Sequence, residues 1–147
     1  MDTILVAIDF SEVTSKMIQW TLDLAKKYGS KVFVLHVAAP EPDFVSYSVG
    51  PQHERKWRAE HLREEHRELE GIQKQFQDAQ VECTALMIQG PTTEKILQES
   101  ERLEAKMIVM GSHGHGAMYH LLVGSVLENV LRKATVPVLI VPSRKAE

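Results

Sequence analysis

Lysine and arginine are absent from residues 107 to 131, although the 147-residue chain contains 17 of them. The same stretch holds four glycines, and it contains no Gly-Lys-Ser/Thr sequence, so it is not a Walker A loop. Cysteine is nearly absent too, because Cys83 stands alone and cannot form an internal disulfide.

Long apolar runs are also missing. No run approaches the ~20 residues of a membrane span, so we expect no insertion into a membrane. The first residues, MDTILVAIDF, carry an acid at Asp2 and only a short apolar run before Asp9, which differs from a secretory signal peptide. We therefore expect a cytoplasmic protein.

Excess positive charge is lacking as well. The formal net charge is −3, and the basic residues are interleaved with acids. A surface that binds nucleic acid needs clustered lysine and arginine for phosphate contacts, so we expect no nucleic-acid partner.

What the chain does contain is the composition of an ordinary globular protein, 44% apolar and 25% charged. Its length predicts one domain, residues 1–147, with one core. Segments with helical signatures separate short apolar runs of the kind found in strands buried on both faces. This alternation predicts an α/β fold with a parallel sheet and helices on its faces. The predicted strands are 3–8, 31–37, 81–88, 106–110 and 136–141.

The sequence predicts three features between the strands. Ser11 is expected to cap the first helix through its side chain, and Gly29 to end that helix. Residues 38–52 hold three prolines and no helical period, which predicts a long exposed loop of either functional or merely variable character.

Residues 53–78 predict a highly charged helix with a narrow apolar seam that includes Leu62, Leu69 and Phe76. Packing of this seam against the sheet is one reading. The heptad spacing also suggests a coiled-coil partner, but two heptads are few for that structure. We expect packing on the sheet.

The glycine-containing segment 111–124 follows a predicted strand and ends where a helix begins. Glycine lets backbone N–H groups approach a ligand, and the first N–H groups of a helix are unsatisfied and carry its positive dipole end. This layout predicts an anion site. An alternative needs no ligand, because Ser125 and Glu128 match a capping box that would satisfy the helix start.

A triphosphate held at this site would have no lysine or arginine close to it in the sequence. Its charge must then be neutralised by backbone dipoles and a divalent cation. Asp9, at the end of the first predicted strand, is the available carboxylate.

Histidines 113, 115 and 120 fit no zinc-ligand spacing. They are expected to flank phosphates as extra donors, His113 among them. The order His-Gly-His-Gly also differs from the His-x-Gly-His motif of nucleotidyl transferases. His36 is expected to be a hydrogen-bonded core group, and the remaining histidines, at 53, 61 and 66, to lie on the charged helix face.

The arrangement Gly111-x2-Gly114-x9-Gly124-Ser125 resembles the signature of the nucleotide-binding branch of the universal stress protein family. The segments ILVAIDFSE, VLHV, IVMGSHG and GSVLENVLRKATVPVLIVP are similar to that family too. The resemblance runs from about residue 3 to residue 142.

The resemblance implies a doubly wound, Rossmann-like sheet of five parallel strands in the order 3-2-1-4-5. ATP, or alternatively AMP or ADP, would lie across the carboxyl ends of strands one and four. Adenine would contact Ala7, Ile8 and Val37, and Asp9 would lie near the ribose or a Mg²⁺ ion. Other residues would line the ribose and phosphate path: Met110, Gly111, Gly114, Gly124, Ser125, Val126 and Leu127. Some relatives carry a small polar residue where Leu127 stands, so here only its N–H would serve.

Three functions remain open at this point. The resemblance implies an ATP-binding regulatory module of the stress response, acting on an unknown protein partner. A weak ATPase or nucleotide transferase is an alternative, although no nucleophile and base pair is evident and we do not expect an enzyme. A ligand-independent interaction protein is the third. The family also implies a homodimer, with the last strand as the pairing edge, although Pro137 and Pro142 limit that pairing.

Overall fold

The computed structural model describes residues 1–38, 52–112 and 124–143, with the backbone alone for residues 52–57. Strands and helices alternate along the chain. In order, they are β1 Thr3–Ile8, α1 Thr14–Tyr28, β2 Lys31–Ala38, α2 Gln52–Asp78, β3 Cys83–Gln89, α3 Thr92–Arg102, β4 Met107–Gly111, α4 Ser125–Lys133 and β5 Val138–Val141.

The five strands form one parallel sheet in the order β3-β2-β1-β4-β5. This confirms the predicted fold class and strand order. β1 lies at the centre, where four of its six residues are at most 3% exposed. A strand covered on both faces needs apolar residues at successive positions, and that is the pattern from which the strands were predicted.

Successive side chains of each strand enter two different cores. From β1, Ile4 and Val6 pack with α1 and α2, where Met17 and Phe76 are buried. Leu5 points to the other core, which α3 and α4 complete with the residues Ile96, Leu127 and Val130. The helices therefore cover both faces of the sheet, in pairs.

The ends of α1 test two expectations. Gly29 ends the helix in the left-handed conformation, with φ 64°, as predicted. The expected side-chain cap at Ser11 is wrong, because α1 begins at Thr14 and Val13 occupies the cap position without a side-chain hydrogen bond. Ser11 contributes its backbone instead, where its carbonyl accepts the N–H of Thr14 at 3.0 Å.

The charged helix α2 packs against the sheet, as predicted. Leu69 and Phe76 are 2% and 0% exposed in the core that also contains β1 and β2. These two residues of the apolar seam therefore pack within the chain, which is the expected alternative to a coiled coil.

Both ends of the predicted loop 38–52 belong to regular elements, since Ala38 ends β2 and Gln52 begins α2. The rest of that prediction, residues 39–51, lies outside the described residues.

None of the helices in the described ranges is long and apolar enough to cross a bilayer.

Candidate functional site

The carboxyl ends of β1 and β4 lie side by side at the centre of the sheet. The two strands pair through Ile4↔Met107 and Val6↔Val109, and continuing this register places Ile8 beside Gly111. From this pair, β2 and β3 lie on one side and β5 lies on the other. The connections that follow β1 and β4 therefore leave on opposite faces of the sheet. A crevice forms at such a switch point in doubly wound sheets.

Asp9 follows β1 directly in a tight turn. Its Oδ1 accepts the backbone N–H of Ser11 at 3.0 Å, and Phe10 between them adopts a left-handed conformation with φ 61°. An Asp side chain that bonds the backbone two residues on stabilises such a turn. The carboxyl group of Asp9 is therefore held in a turn at the carboxyl end of β1.

The start of α4 is fastened to the end of β4. The N–H of Gly124 donates to the carbonyl of Ser112 at 2.8 Å, and the N–H of Ser112 donates to the carbonyl of Val141 at 2.9 Å. These bonds join residues 12 and 29 positions apart in the chain, next to the ends of β4 and β5. The first turn of α4 is thus positioned at the same edge of the sheet as Asp9.

The capping box proposed for Ser125 and Glu128 does not form. Gly124 is the cap residue, Ser125 is already the first helical residue, and no side-chain hydrogen bond caps the helix. A capping box needs the serine one position earlier, because only a non-helical cap residue can turn its side chain onto the first N–H groups.

The N–H groups of the first turn of α4 consequently have no acceptor within the helix. The first intrahelical bond runs from the N–H of Glu128 to the carbonyl of Gly124 at 3.0 Å, so within α4 the N–H groups of Ser125, Val126 and Leu127 have no acceptor. The Gly124 N–H, also predicted to meet phosphate, is instead engaged by Ser112. Three of the four predicted amides therefore carry the positive end of the dipole toward the crevice.

Glu128 is the acid that would oppose an anion at this helix end. Its Oε1 lies 2.9 Å from Nη2 of Arg132, one turn further along α4. Both side chains are exposed, at 53% and 71%, so the pair adds little to stability. The contact nevertheless holds the carboxylate toward the carboxyl end of the helix and away from its first amides.

An apolar wall lies beneath the crevice on the α3 and α4 side of the sheet. Met110 and Leu127 are 5% and 2% exposed, and three other predicted site residues pack partly buried against the same core, namely Ala7, Val37 and Val126. Ile8 belongs to the opposite core, so it can offer the crevice only its backbone. All ten predicted site residues in the described ranges therefore lie at or next to the carboxyl ends of β1, β2 and β4, or in or just before the first turn of α4.

Two predicted site residues, His113 and Gly114, lie outside the described residues, as do His115 and His120. Within residues 1–38, 52–112 and 124–143, no group of three or more histidine, cysteine or acidic side chains could hold a metal ion. A nucleotide-bound Mg²⁺ needs no such group, because it is commonly held by one or two carboxylates together with phosphates and water.

Cys83 and the helix histidines lie where the sequence placed them. Cys83 begins β3 at the amino end of the sheet, opposite the crevice, and its burial raises the pKa of the thiol to about 12. His61 and His66 are exposed on α2, at 53% and 60%. The backbone of His53 lies in the same helix.

Sequence reasoning missed Ser112, Lys16 and the partners of His36. Lys16 of α1 donates from Nζ to the carbonyl of Pro142 at 3.0 Å, which ties α1 to the end of β5. His36 is a buried, hydrogen-bonded core residue, as expected, but its contacts with the turn that contains Asp9 were not foreseen. No local pattern signals contacts between residues so far apart in the chain.

The sequence matches the Universal stress protein family over residues 1–142. It is 30% identical over 147 residues to Universal stress protein MJ0531 of Methanocaldococcus jannaschii, covering 98% of this chain and 84% of that protein. It is 33% identical over 141 residues to a Thermus aquaticus universal stress protein named for the QAH/OAS sulfhydrylase 3′ region, covering 95% and 97%.

A solved structure is similar along almost the whole chain. It is that of MJ0577, a universal stress protein of M. jannaschii, and it superposes with a TM-score of 0.84 at 28% identity, covering 99% of this chain and 98% of that one. The fold, the strand order and the family match agree with the resemblance carried by the glycine signature. The chain therefore belongs to the universal stress protein family.

Proposed function

We propose that this protein binds an adenine nucleotide, ATP foremost, in the crevice between the carboxyl ends of β1 and β4, and that it acts as a nucleotide-dependent regulatory module of the stress response. The observation that carries the proposal is the first turn of α4, which has no side-chain cap and is tied to β4 by the Gly124 to Ser112 bond. A phosphate would complete the hydrogen bonding of its amides.

The remaining residues suit the other parts of such a ligand. Ala7 and Val37 in the apolar wall offer adenine a place to pack, and Met110 lies in the same wall, where it would line the ribose and phosphate path. Asp9 offers a carboxylate to the ribose hydroxyls or to a Mg²⁺ ion that accompanies the phosphates. His113 and Gly114 keep their proposed place beside the phosphates on sequence grounds.

More distant members of the same fold suggest which nucleotides to try. One Archaeoglobus fulgidus universal stress protein was solved with dAMP, and another universal stress protein with cAMP, at 19% and 17% identity to this chain. At that distance the likeness shows the fold alone. Their ligands only extend the titration series beyond ATP, ADP and AMP.

The test is calorimetric titration of nucleotide-free protein with ATP and magnesium, repeated on Gly124→Asp. Asp at the cap position accepts a bond from the first amides of α4 and places a negative charge there. We expect wild-type binding, a melting temperature that does not fall in the variant, and ATP affinity at least ~10-fold weaker, equivalent to about 1.4 kcal/mol.

Pro91→Asp is the matched control. Pro91 is the cap residue of α3, which also lacks a side-chain cap and begins at the same edge of the sheet. The same charge and capping change there is expected to leave ATP affinity unaltered. Failure of the wild type to bind any adenine nucleotide would refute the proposal, as would equal losses in the two variants.

We also propose that the protein is a cytoplasmic homodimer that pairs along β5, the edge strand of the sheet. Its single reduced cysteine suits a reducing compartment. Nucleotide occupancy would alter the binding of a protein partner, whose identity the chain does not specify.

A further inference from the structure

A buried histidine lies directly behind the turn that carries Asp9. His36 of β2 is 6% exposed, and its Nδ1 lies 3.0 Å from the carbonyl oxygen of Ile8. A carbonyl can only accept, so Nδ1 carries the hydrogen and donates it. This bond holds the residue immediately before Asp9.

The same imidazole contacts the residue immediately after Asp9. The ring centroids of His36 and Phe10 are 4.6 Å apart, with the planes inclined by 53°. Phe10 is in the left-handed region, at φ 61°, which is strained for a residue with a Cβ and persists only where surrounding contacts hold it. His36 thus contacts both neighbours of Asp9 in the chain.

Glu65 of α2 holds the other side of the ring. Its Oε2 lies 2.7 Å from Nε2 of His36, and the two side chains are only 16% and 7% exposed. Oε1 of the same carboxylate lies 3.9 Å from the exposed His61. Because Nδ1 donates to Ile8 and Nε2 lies in ion-pair distance of the Glu65 carboxylate, two contacts orient the imidazole, and α2 supplies one of them.

We propose that His36, oriented by Glu65, is a positioning residue that holds the β1 to α1 turn so that Asp9 faces a nucleotide and its Mg²⁺. The inference rests on the proposed nucleotide site and deepens it, since it assigns part of the affinity to two side chains that do not contact the ligand. It also links α2, on the opposite face of the sheet from α4, to the nucleotide crevice.

The first experiment compares variants that keep or remove one bond each. Asn at position 36 can still donate to Ile8 from its amide, whereas Leu cannot. We expect MgATP affinity to fall at least ~10-fold in His36→Leu and to recover to within ~3-fold in His36→Asn. Glu65→Leu should weaken binding, and Glu65→Gln, which loses the charge but keeps a polar oxygen beside Nε2, should weaken it less.

Glu70→Gln is the matched control on the same helix. Glu70 makes an exposed ion pair with His66, at 3.2 Å, which resembles the buried pair chemically but lies away from the turn. We expect no change in affinity. An equal loss in Glu65→Gln and Glu65→Leu, or affinity in His36→Leu within ~2-fold of wild type, would overturn the inference.

A second measurement needs no nucleotide. The amide hydrogen of Ser11 donates to Asp9 within the turn, so its exchange with solvent, followed by NMR in the ligand-free protein, reports how well the turn is held. We expect faster exchange at Ser11 in His36→Leu and Glu65→Leu, and unchanged exchange in β5.

The two proposals fail in different ways. Absence of ATP binding by the wild type would overturn the nucleotide site and the inferred gain in affinity, while the exchange data would still decide whether His36 holds the turn. Wild-type binding with unchanged Ser11 exchange in His36→Leu would overturn the positioning role alone.

Discussion

Asp9 has a structural role in the turn and a proposed role at magnesium, and one substitution can separate the two. Its Oδ1 accepts the N–H of Ser11, which an Asn side chain can also do, while only the carboxylate carries charge. The β1 to α1 turn therefore tolerates Asn at this position, but magnesium would lose its protein ligand.

We expect Asp9→Asn to lower ATP affinity ~10-fold in the presence of Mg²⁺, by about 1.4 kcal/mol, and to leave affinity in EDTA equal or slightly higher. Without the cation, the carboxylate repels phosphate, so its removal costs nothing. Calorimetry under the two conditions measures both values. Equal losses with and without magnesium would show that Asp9 serves the turn or the ribose and not the metal.

Cys83 is the residue whose ionisation the fold alters most clearly. Burial raises the pKa of its thiol from about 9.0 to about 12, and the thiolate is the reactive form. We expect the native protein to react with a thiol reagent at pH 8 far more slowly than the protein in urea. Comparable rates would contradict the burial of this side chain.

The same shift makes stability depend on pH. Between about pH 9 and about pH 12, the native thiol keeps its proton while the unfolded chain loses it, so the free energy of unfolding falls as pH rises through that window. Urea denaturation of wild type and Cys83→Ala at pH 8 and pH 10.5 gives their free energies of unfolding and thereby measures the contribution of the thiol. The wild type should lose more stability than the variant on going to the higher pH.

At the scale of elements, α2 shows how a charged helix is attached to the sheet. Phe76 is fully buried, Leu69 nearly so, and Leu62 only partly. A helix held by the sheet depends on the buried end of its seam, whereas a coiled-coil partner would use the heptad positions more evenly.

We expect Phe76→Ala to lower the free energy of unfolding by about 3–5 kcal/mol, because it leaves a cavity in the core. Leu62→Ala should cost markedly less, within about 1 kcal/mol. Urea denaturation of the two variants provides the comparison. A larger loss for Leu62 than for Phe76 would favour a partner along the outer part of the seam.

The ends of the elements were less predictable than their existence. Gly29 was identified correctly because a left-handed helix end is a local requirement that glycine meets most easily. Ser11 was expected to cap by its side chain, and a capping box at Ser125 was the alternative to an anion site; neither serine caps its helix. At α4 the start is determined by the bond from Gly124 to Ser112, a tertiary contact that outweighs the Ser-x-x-Glu pattern.

At the scale of the whole molecule, β5 is an edge strand and Ile140 on it is 39% exposed. An apolar edge of this kind invites pairing with another chain. Pro137 precedes the strand and Pro142 follows it, so pairing must be confined to the few residues between them.

We expect light scattering to give twice the 16.6 kDa chain mass for the wild type, and the chain mass for Ile140→Lys, since a charge in the paired edge is not compensated. Tyr28→Lys is the control, because Tyr28 is 54% exposed at the last residue of α1, at the other end of that helix from the Lys16 contact with Pro142. A monomeric wild type at micromolar concentration would contradict the proposed dimer.

The sequence by itself determined the five buried strands, their alternation with helices and the family resemblance from which the strand order followed. These follow from apolar runs and from a glycine signature, both of which are local patterns that record burial and backbone conformation. It also predicted that Asp9 and the start of α4 face a nucleotide.

Only the tertiary structure decided how those residues are held. The uncapped first turn of α4, the turn of Glu128 toward Arg132, and the support of the Asp9 turn by His36 and Glu65 all depend on side-chain or chain-packing geometry. His36 and Ile8 are 28 residues apart in the chain. Contacts across such separations leave no periodic trace in the sequence, because they arise only when the strands pair and the helices pack on them.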